Sequence, residues 1–258
     1  MKTSSSACHW YSTFTVPCAC CLITQPTSTA SCKWRITTNS STAEALINSK
    51  SPPTSLFDDV ADVDDFHALF LLQELTNPRL QNELGNLQLI NTADIPFGIN
   101  GCNMATAPFT HVNPAGSRFS NGSYGVLYVA DTIETAVLEV RHHQQLYWSK
   151  VAALAYERML FRGLRCTFAD DGLLDLTDRP MSDPVYAPAD YSASQAFGAS
   201  VRKDGANGVK YWSVRNQAQH ALCWGLFTPK IVHSCVQTAA YEMIWSDGIT
   251  SVGKLSVF

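Results

Sequence analysis

Residues 122–147 constrain the fold more than any other part of this sequence, because a strand pattern passes directly into a capped helix pattern. The run Gly122–Ala130 is rich in aromatic and branched apolar side chains, which predicts a strand. Asp131 to Glu134 then provide a cap and an acidic first turn for a helix that we expect to reach about Tyr147. This stretch therefore argues against an all-α or an all-β chain.

The second half of the chain is predicted to consist mainly of strands. A helix is expected over Asp190–Lys203, ended by the turn at Asp204-Gly205. We therefore expect an α+β fold, a single mixed domain with a twisted, largely antiparallel sheet core flanked by helices. Strand-like runs occupy Val151–Phe161, Leu173–Leu176, Gly208–Val214, Ala221–Phe227 and much of Ile231–Trp245.

The N-terminal part is predicted to contain a leader without regular structure, followed by the start of the folded domain. Residues 1–32 are rich in Ser, Thr and Cys without periodicity, so we expect a disordered or loosely attached leader, followed by one domain over residues 33–258. A short strand-like run at Lys33–Ile36 precedes a predicted loop over Thr37–Thr54. Leu56–Leu75 combines a helical apolar period with an acidic start, which predicts a helix with a solvated acidic face rather than a metal site.

Charge and cysteine usage argue against several classes of function. The formal net charge of −4 at pH 7 provides no basic surface for nucleic acid. No apolar run approaches the roughly 20 residues of a membrane span, and the N-terminus is a poor signal peptide. The nine cysteines are odd in number and lack zinc-site spacing, so we expect a reduced, cytoplasmic protein without a metal.

Glu139 and His143 share one stripe of the predicted helix, next to its buried stripe. A carboxylate at the margin of the core can be half-buried in a cleft, and His143 can orient it from one turn later. The spacing alone favours a Glu–His pair on the surface over a catalytic role. The buried stripe is expected to contain Ile133, Ala136, Val137, Val140 and Tyr147.

Arg118 and Tyr128 are the other candidate functional residues. Arg118 lies in a polar stretch flanked by glycines, where a guanidinium can bind phosphate through two hydrogen bonds or pair with a carboxylate. Tyr128 lies in the predicted strand, as a core residue or a stacking surface. The segments Gly98–Gly101 and Gly205–Gly208 lack the spacing of dinucleotide or Walker loops and predict turns.

These residues also carry a resemblance to a known family. Residues 117–139, SRFSNGSYGVLYVADTIETAVLE, resemble the first motif of the RES domain. In that motif a tyrosine follows an arginine by ten residues and a glutamate follows it by twenty-one, as Arg118, Tyr128 and Glu139 do here. His143 matches a further family position. Gly205–Arg215 resembles the closing motif of the family and supplies its serine as Ser213.

The resemblance covers about residues 33–230, with weaker similarity at Trp34–Ile36, Leu56–Asp58 and Thr76–Leu80. It departs from the family where the common Gly-Gly-Arg-Trp is Gly-Ser-Arg-Phe in this chain, although an aromatic residue is kept beside the arginine. Residues 1–32 have no counterpart in the family.

The RES resemblance implies an enzyme that consumes NAD as a substrate, without a bound cofactor, in a cleft like that of ADP-ribosyltransferases. It implies catalytic roles for Glu139, Arg118 and Tyr128. Glu139 would hold the ribose and stabilise developing positive charge, Arg118 would bind the pyrophosphate or another polar part of NAD, and Tyr128 would stack or hydrogen-bond near the nicotinamide. His143 and Ser213 would orient the carboxylate and the bound NAD.

Several alternatives stay open within this resemblance. The reaction is NAD hydrolysis or phosphorolysis, or else transfer of ADP-ribose to a protein, and a non-catalytic binding module is the remaining alternative. Many RES proteins are toxins neutralised by a helix-turn-helix antitoxin of the Xre type, so such an antitoxin is an expected partner. We expect no direct nucleic-acid or membrane partner, and a homo-oligomer stays open.

Overall fold

Eight strands, joined edge to edge in one sheet, form the framework of the computed structural model, which describes residues 39–49, 65, 68 and 85–257. The strands are β1 (Ser40–Asn48), β2 (Leu127–Ala130), β3 (Glu157–Ala169), β4 (Leu173–Asp175), β5 (Gly208–Trp212), β6 (Leu222–Leu226), β7 (Val232–Trp245) and β8 (Ile249–Val257). Their order in the sheet is β4-β5-β6-β2-β1-β3-β7-β8. All neighbours are antiparallel except β4 and β5. The predicted α+β fold with a largely antiparallel sheet is confirmed.

Both faces of the sheet are covered by helices. Within the described residues the α-helices are α1 (Cys102–Thr110), α2 (Ile133–Trp148) and α3 (Ser192–Lys203). Side chains of α2 and α3 join one hydrophobic core and side chains of α1 join the other, because successive strand residues point to opposite faces. None of the helices in these ranges is long and apolar enough to cross a bilayer.

Helix α2 begins where the sequence predicts, since the side chain of Thr132 accepts a hydrogen bond from the backbone N–H of Thr135. Its buried stripe ends differently. Tyr147 is 62% exposed, whereas Trp148 is 8% exposed and packs in the core. The predicted burial of Tyr147 is therefore wrong: the last turn instead buries the larger indole of Trp148, whose Nε1 donates to Oε1 of Gln144 at 3.0 Å.

The predicted loop over Thr37–Thr54 is wrong for Ser40–Asn48, which form strand β1 in the interior of the sheet. This strand pairs with β3 along its whole length, from Ser40 opposite Ala169 to Asn48 opposite Phe161. Its polar composition hides the pattern, because the buried residues are mostly small.

Other boundaries also differ from the predictions. Residues 151–156 precede strand β3, which runs on to Ala169, and neither α1 nor β8 was expected. The predicted leader 1–32 and the strand-like run Lys33–Ile36 lie outside the described residues. Of the predicted helix Leu56–Leu75 only Asp65 and Ala68 are described, and both are helical and exposed.

Strands β1 and β2 are neighbours that pair at one register position, Glu44 opposite Ala130. Beyond this position Ala45–Ile47 of β1 and Leu127–Val129 of β2 line a common cavity instead of continuing the ladder. The separation of the two strands therefore opens a cleft inside the sheet, and helix α2 follows directly from the end of β2.

Candidate active site

The cavity between β1 and β2 has a volume of about 510 Å³. That size suits a small-molecule site, since such pockets span roughly 300–1,000 Å³. Four of the five residues singled out from the sequence line it, namely Arg118, Tyr128, Glu139 and His143. The fifth, Ser213, contacts the Glu139 side chain directly.

Ser213 orients the carboxylate of Glu139. Its Oγ donates a hydrogen bond of 2.7 Å to Oε1 of Glu139. The same oxygen accepts hydrogen bonds from the backbone N–H groups of Arg215, at 3.2 Å, and Asn216, at 3.1 Å. A hydroxyl has a single hydrogen to donate, and these two incoming bonds leave that hydrogen to the carboxylate.

The loop that carries Ser213 is tied to the first turn of α2. Asn216 donates from Nδ2 to Oγ1 of Thr135 at 3.0 Å, and Thr135 is fully buried. Thr135 also lies 2.8 Å, Oγ1 to Oγ1, from the capping residue Thr132. Glu139 and Ser213 are thereby held in a fixed relation by contacts independent of their own hydrogen bond.

Arg118 is a buried cation, with only 6% of its surface exposed. Its Nη1 donates to the backbone oxygens of Val185, at 3.4 Å, and Ala187, at 3.0 Å. Its Nη2 is buried with no hydrogen-bond partner among the described residues. A buried guanidinium that is held by neutral carbonyls, with one nitrogen unpaired, is suited to bind an anionic group.

Tyr128 braces the loop on both sides of Arg118. Its hydroxyl oxygen accepts from the backbone N–H of Phe119 at 2.9 Å and lies 2.9 Å from Oγ of Ser117. Burial raises the pKa of this hydroxyl from 10.0 to about 12, so it stays protonated at neutral pH. The hydroxyl that was predicted to act near nicotinamide is thus engaged with the loop, while Tyr128 also lines the cavity.

Helix α3 supports the same loop from the other side. Gln195 donates from Nε2 to the backbone oxygen of Ser117 at 3.0 Å. Gly198 packs so closely on Phe119 that an added Cβ would stand 2.3 Å from its backbone oxygen. The position of Arg118 therefore depends on β2 and on α3 together.

His143 lines the cavity, although its contacts differ from the predicted ones. Within the described part of the chain, the Glu139 carboxylate accepts a hydrogen bond from Ser213, and the His143 ring lies edge-on to Tyr191 at a centroid distance of 6.4 Å. His143 as a whole residue is exposed, but desolvation of its ring at the cavity lowers its pKa below 6.5, and the Glu139 carboxylate opposes this shift only in part. His143 is therefore mainly neutral at pH 7.

Sequence reasoning missed two side chains of this site, Tyr191 and Arg215. Tyr191 lines the cavity, and its ring lies under the guanidinium of Arg118, 4.6 Å from Cζ to the ring centroid. Arg215 donates from Nη2 to the backbone oxygen of Pro188 and, at 3.5 Å, to the Tyr191 hydroxyl. Arg215 ends the closing motif Gly205–Arg215, which could have drawn attention to it, whereas no sequence signal distinguished Tyr191.

Cys223 also lines the cavity, but its thiol is not activated. Burial raises the pKa of Cys223 far above its usual range, and the nearby carboxylate of Glu139 acts in the same direction. A nucleophilic cysteine needs a lowered pKa. Thiolate chemistry is therefore disfavoured here.

Comparison with known families identifies the chain. The family model of the RES domain matches residues 95–246, which is more than half of the sequence and includes Arg118, Tyr128, Glu139, His143 and Ser213. The chain belongs to the RES domain family.

Individual proteins are also similar to this RES domain protein. It is 28% identical over 205 residues to the uncharacterized protein y4oC of Sinorhizobium fredii (strain NBRC 101917 / NGR234), across 78% of this chain and 81% of that protein. Among solved structures, it is similar to a chain of the M. tuberculosis MbcT–MbcA toxin–antitoxin complex, with a TM-score of 0.36 and 18% identity. That similarity covers 48% of this chain and 72% of the other.

Proposed function

We propose that this RES domain protein cleaves the bond between nicotinamide and ribose in NAD. The observation that carries the proposal is the convergence of Glu139, oriented by Ser213, and Arg118, with an unpaired buried nitrogen, on one cavity of about 510 Å³. A carboxylate and a cation in a shared cleft match the two ends of a dinucleotide, whose ribose becomes positive during cleavage and whose phosphates are negative.

The reaction needs one carboxylate and no general acid. The nicotinamide ring is cationic while it is bonded to ribose, and it departs as a neutral molecule. The ribose passes through an oxocarbenium-like transition state, as in glycoside hydrolysis. A carboxylate near the anomeric carbon stabilises that positive charge more strongly than it stabilises the bound substrate, which lowers the barrier. Glu139 is assigned this role and also accepts hydrogen bonds from the ribose hydroxyls.

The other residues bind and position. Arg118 binds the pyrophosphate through Nη2, while Tyr128 holds the arginine loop and presents its ring to the cavity. Ser213 keeps one carboxylate oxygen of Glu139 fixed, so that less reorganisation is needed when charge develops. His143, mainly neutral at pH 7, donates or accepts one hydrogen bond near the carboxylate without competing for its charge.

Three kinds of acceptor can take up the ADP-ribosyl group. Water yields ADP-ribose, inorganic phosphate yields the phosphorylated sugar, and a protein side chain yields an ADP-ribosylated protein. We propose cleavage with a small acceptor, by hydrolysis or phosphorolysis, and keep protein modification as the alternative. Incubation of the purified protein with NAD, with and without phosphate and with a protein extract, followed by mass spectrometry, separates the three products.

The variant Glu139→Gln tests the catalytic assignment. It keeps the shape of the side chain and removes its charge, so the turnover number for NAD is expected to fall about 10²- to 10³-fold with a smaller change in KM. The matched control is Glu134→Gln, an exposed carboxylate on the same helix. Unchanged turnover in Glu139→Gln, or equal loss in the control, would reject the assignment.

A toxin role in the cytoplasm follows from NAD consumption. Expression of the active protein should deplete cellular NAD and stop growth, whereas Glu139→Gln should do neither. A helix-turn-helix antitoxin of the Xre type is the proposed partner, and co-expression of a candidate should restore both growth and NAD. Growth that is unaffected by the active protein in the absence of any antitoxin would favour a non-catalytic binding module instead.

A further inference from the structure

Tyr191 contacts three charged or titratable side chains around the cavity. Its ring lies 4.6 Å from Cζ of Arg118, its hydroxyl lies 3.5 Å from Nη2 of Arg215, and its edge faces His143 at 6.4 Å. It also lines the cavity itself.

Hydrogen bonds to its backbone carbonyl oxygen hold Tyr191 at the start of α3. Its carbonyl oxygen accepts hydrogen bonds from the backbone N–H of Gln195, at 2.8 Å, and from Oγ of Ser194, at 3.1 Å. Ser194 is fully buried. Because Gln195 also donates to the backbone oxygen of Ser117, the first turn of α3 fixes both the ring of Tyr191 and the chain beside Arg118.

The stacked ring decides which part of the Arg118 guanidinium can meet a ligand. Two carbonyl oxygens engage Nη1, and the Tyr191 ring lies 4.6 Å, centroid to Cζ, from the guanidinium. Nη2 is buried, has no hydrogen-bond partner among the described residues, and carries N–H groups that lie in the plane of the guanidinium. In-plane approach is the geometry in which a guanidinium binds the oxygens of a phosphate.

We infer that Tyr191 is a positioning residue that holds the guanidinium of Arg118 so that its free edge binds the phosphate oxygens of the substrate. The inference rests on the proposed function, which makes the substrate a dinucleotide, and it adds a residue and a phosphate-binding geometry to that function. Arg215 contributes by holding the Tyr191 hydroxyl and the neighbouring chain at Pro188.

Binding of inorganic pyrophosphate, measured by calorimetry, tests this inference separately from NAD cleavage. Tyr191→Leu removes the aromatic face and is expected to weaken pyrophosphate binding roughly 2- to 30-fold, the range of a cation–π contact. Tyr191→Phe keeps the ring and is expected to bind within about twofold of the parent protein. Tyr147→Leu, which removes a tyrosine that is 62% exposed on α2, is the control and should bind as the parent does.

Steady-state kinetics on NAD distinguish a positioning role from a purely structural one by whether KM or kcat changes. Loss of a phosphate contact far from the reacting bond should raise KM in Tyr191→Leu by a similar factor and leave kcat nearly unchanged. If Tyr191→Leu does not fold, as judged by circular dichroism, Tyr191→Met provides the same test with a flexible side chain of similar volume.

The outcomes separate clearly. Pyrophosphate binding that is lost in the ring-less variants and kept in Tyr191→Phe supports the inference, even if the parent protein proves unable to cleave NAD, in which case only the proposed function fails. The inference is overturned if the ring-less variants bind pyrophosphate as the parent does. It is also overturned if Tyr191→Phe loses as much affinity as Tyr191→Leu, or if the parent protein does not bind pyrophosphate.

Discussion

The hydroxyl of Ser213 donates a 2.7 Å hydrogen bond to Oε1 of Glu139, although 74 positions separate the two residues in the sequence. Ser213 is 1% exposed and Glu139 lines the cavity, so the bond runs from the protein interior to the candidate catalytic group. One oxygen of the carboxylate is thereby fixed at the cavity wall.

Replacement of Ser213 by alanine should reduce kcat for NAD by about 10- to 100-fold with little change in KM. The reason is the loss of a charge-assisted hydrogen bond, worth about 1.5–3 kcal/mol, that prepares Glu139 for the transition state. Steady-state kinetics on the purified variant measure the effect. Ser200→Ala, at an exposed position on α3, is the control, and equal kcat values in the two variants would contradict the assignment.

Tyr128→Phe should lower the free energy of unfolding by about 1–3 kcal/mol, because the backbone N–H of Phe119 loses its buried acceptor. The variant should also raise KM for NAD, since the loop that carries Arg118 loses a brace. Urea unfolding and NAD kinetics measure the two effects. Tyr156→Phe, at a residue that is 60% exposed, should change neither, and a stable Tyr128→Phe protein would show that the hydroxyl is not needed by the loop.

Gly198→Ala should destabilise the protein, although alanine normally favours a helix over glycine by about 1 kcal/mol. The added Cβ would stand 2.3 Å from the backbone oxygen of Phe119, so helix and loop must move apart. We expect a net loss of about 1–3 kcal/mol together with weaker binding of NAD. Thermal unfolding decides the sign: a higher melting temperature would show that the contact between α3 and the arginine loop is loose.

Acidification should reduce stability in the range below about pH 6.5. Desolvation lowers the pKa values of the half-buried His142 and the exposed His143 below 6.5, helped by Arg215 and Arg118 and opposed by Glu139. As the pH falls through 6.5 the unfolded chain takes up protons before the folded protein does, so the stability present at neutral pH is lost. The melting temperature should therefore fall as the pH is lowered from 7.5 to 5.5.

Substitution of both histidines by glutamine should reduce that fall. His233→Gln, at an exposed residue of β7, is the control and should leave the pH dependence as it is. An unchanged slope in the double variant would show that other groups, and not His142 and His143, cause the acid sensitivity.

The elements predicted correctly from the sequence are those with strong local signals. The cap at Thr132 and the acidic first turn mark the start of α2, and the dense apolar runs mark β5, β6 and β7. Strand β1 was missed because its small and polar residues have no local strand signal, and it is stable as a strand only between β2 and β3. Helix α1 was also missed because its local signal is weak: Pro108 lies inside it, and proline is unfavourable in a helix interior.

The residues of the candidate site were also predictable from the sequence, whereas the contacts between them were not. Residue type and spacing raised Arg118, Tyr128, Glu139 and His143 as candidates, and the resemblance to the two RES motifs assigned them roles and added Ser213. Which of them touch was decided by the tertiary structure, since hydrogen bonds form between atoms that chain topology brings within about 3 Å. The sequence favoured His143 as the partner of Glu139 on helical spacing, whereas the folded chain supplies Ser213 from the end of β5.

The sequence alone therefore determined the family, most of the kinds of elements and the five candidate side chains, because all of these depend on local pattern. Tertiary structure alone decided that β1 and β2 separate into a cavity, that the Tyr128 hydroxyl serves the arginine loop, and that Tyr191 stacks on Arg118. These features depend on packing between segments far apart in the chain, and a local pattern of residues carries no information about such distances.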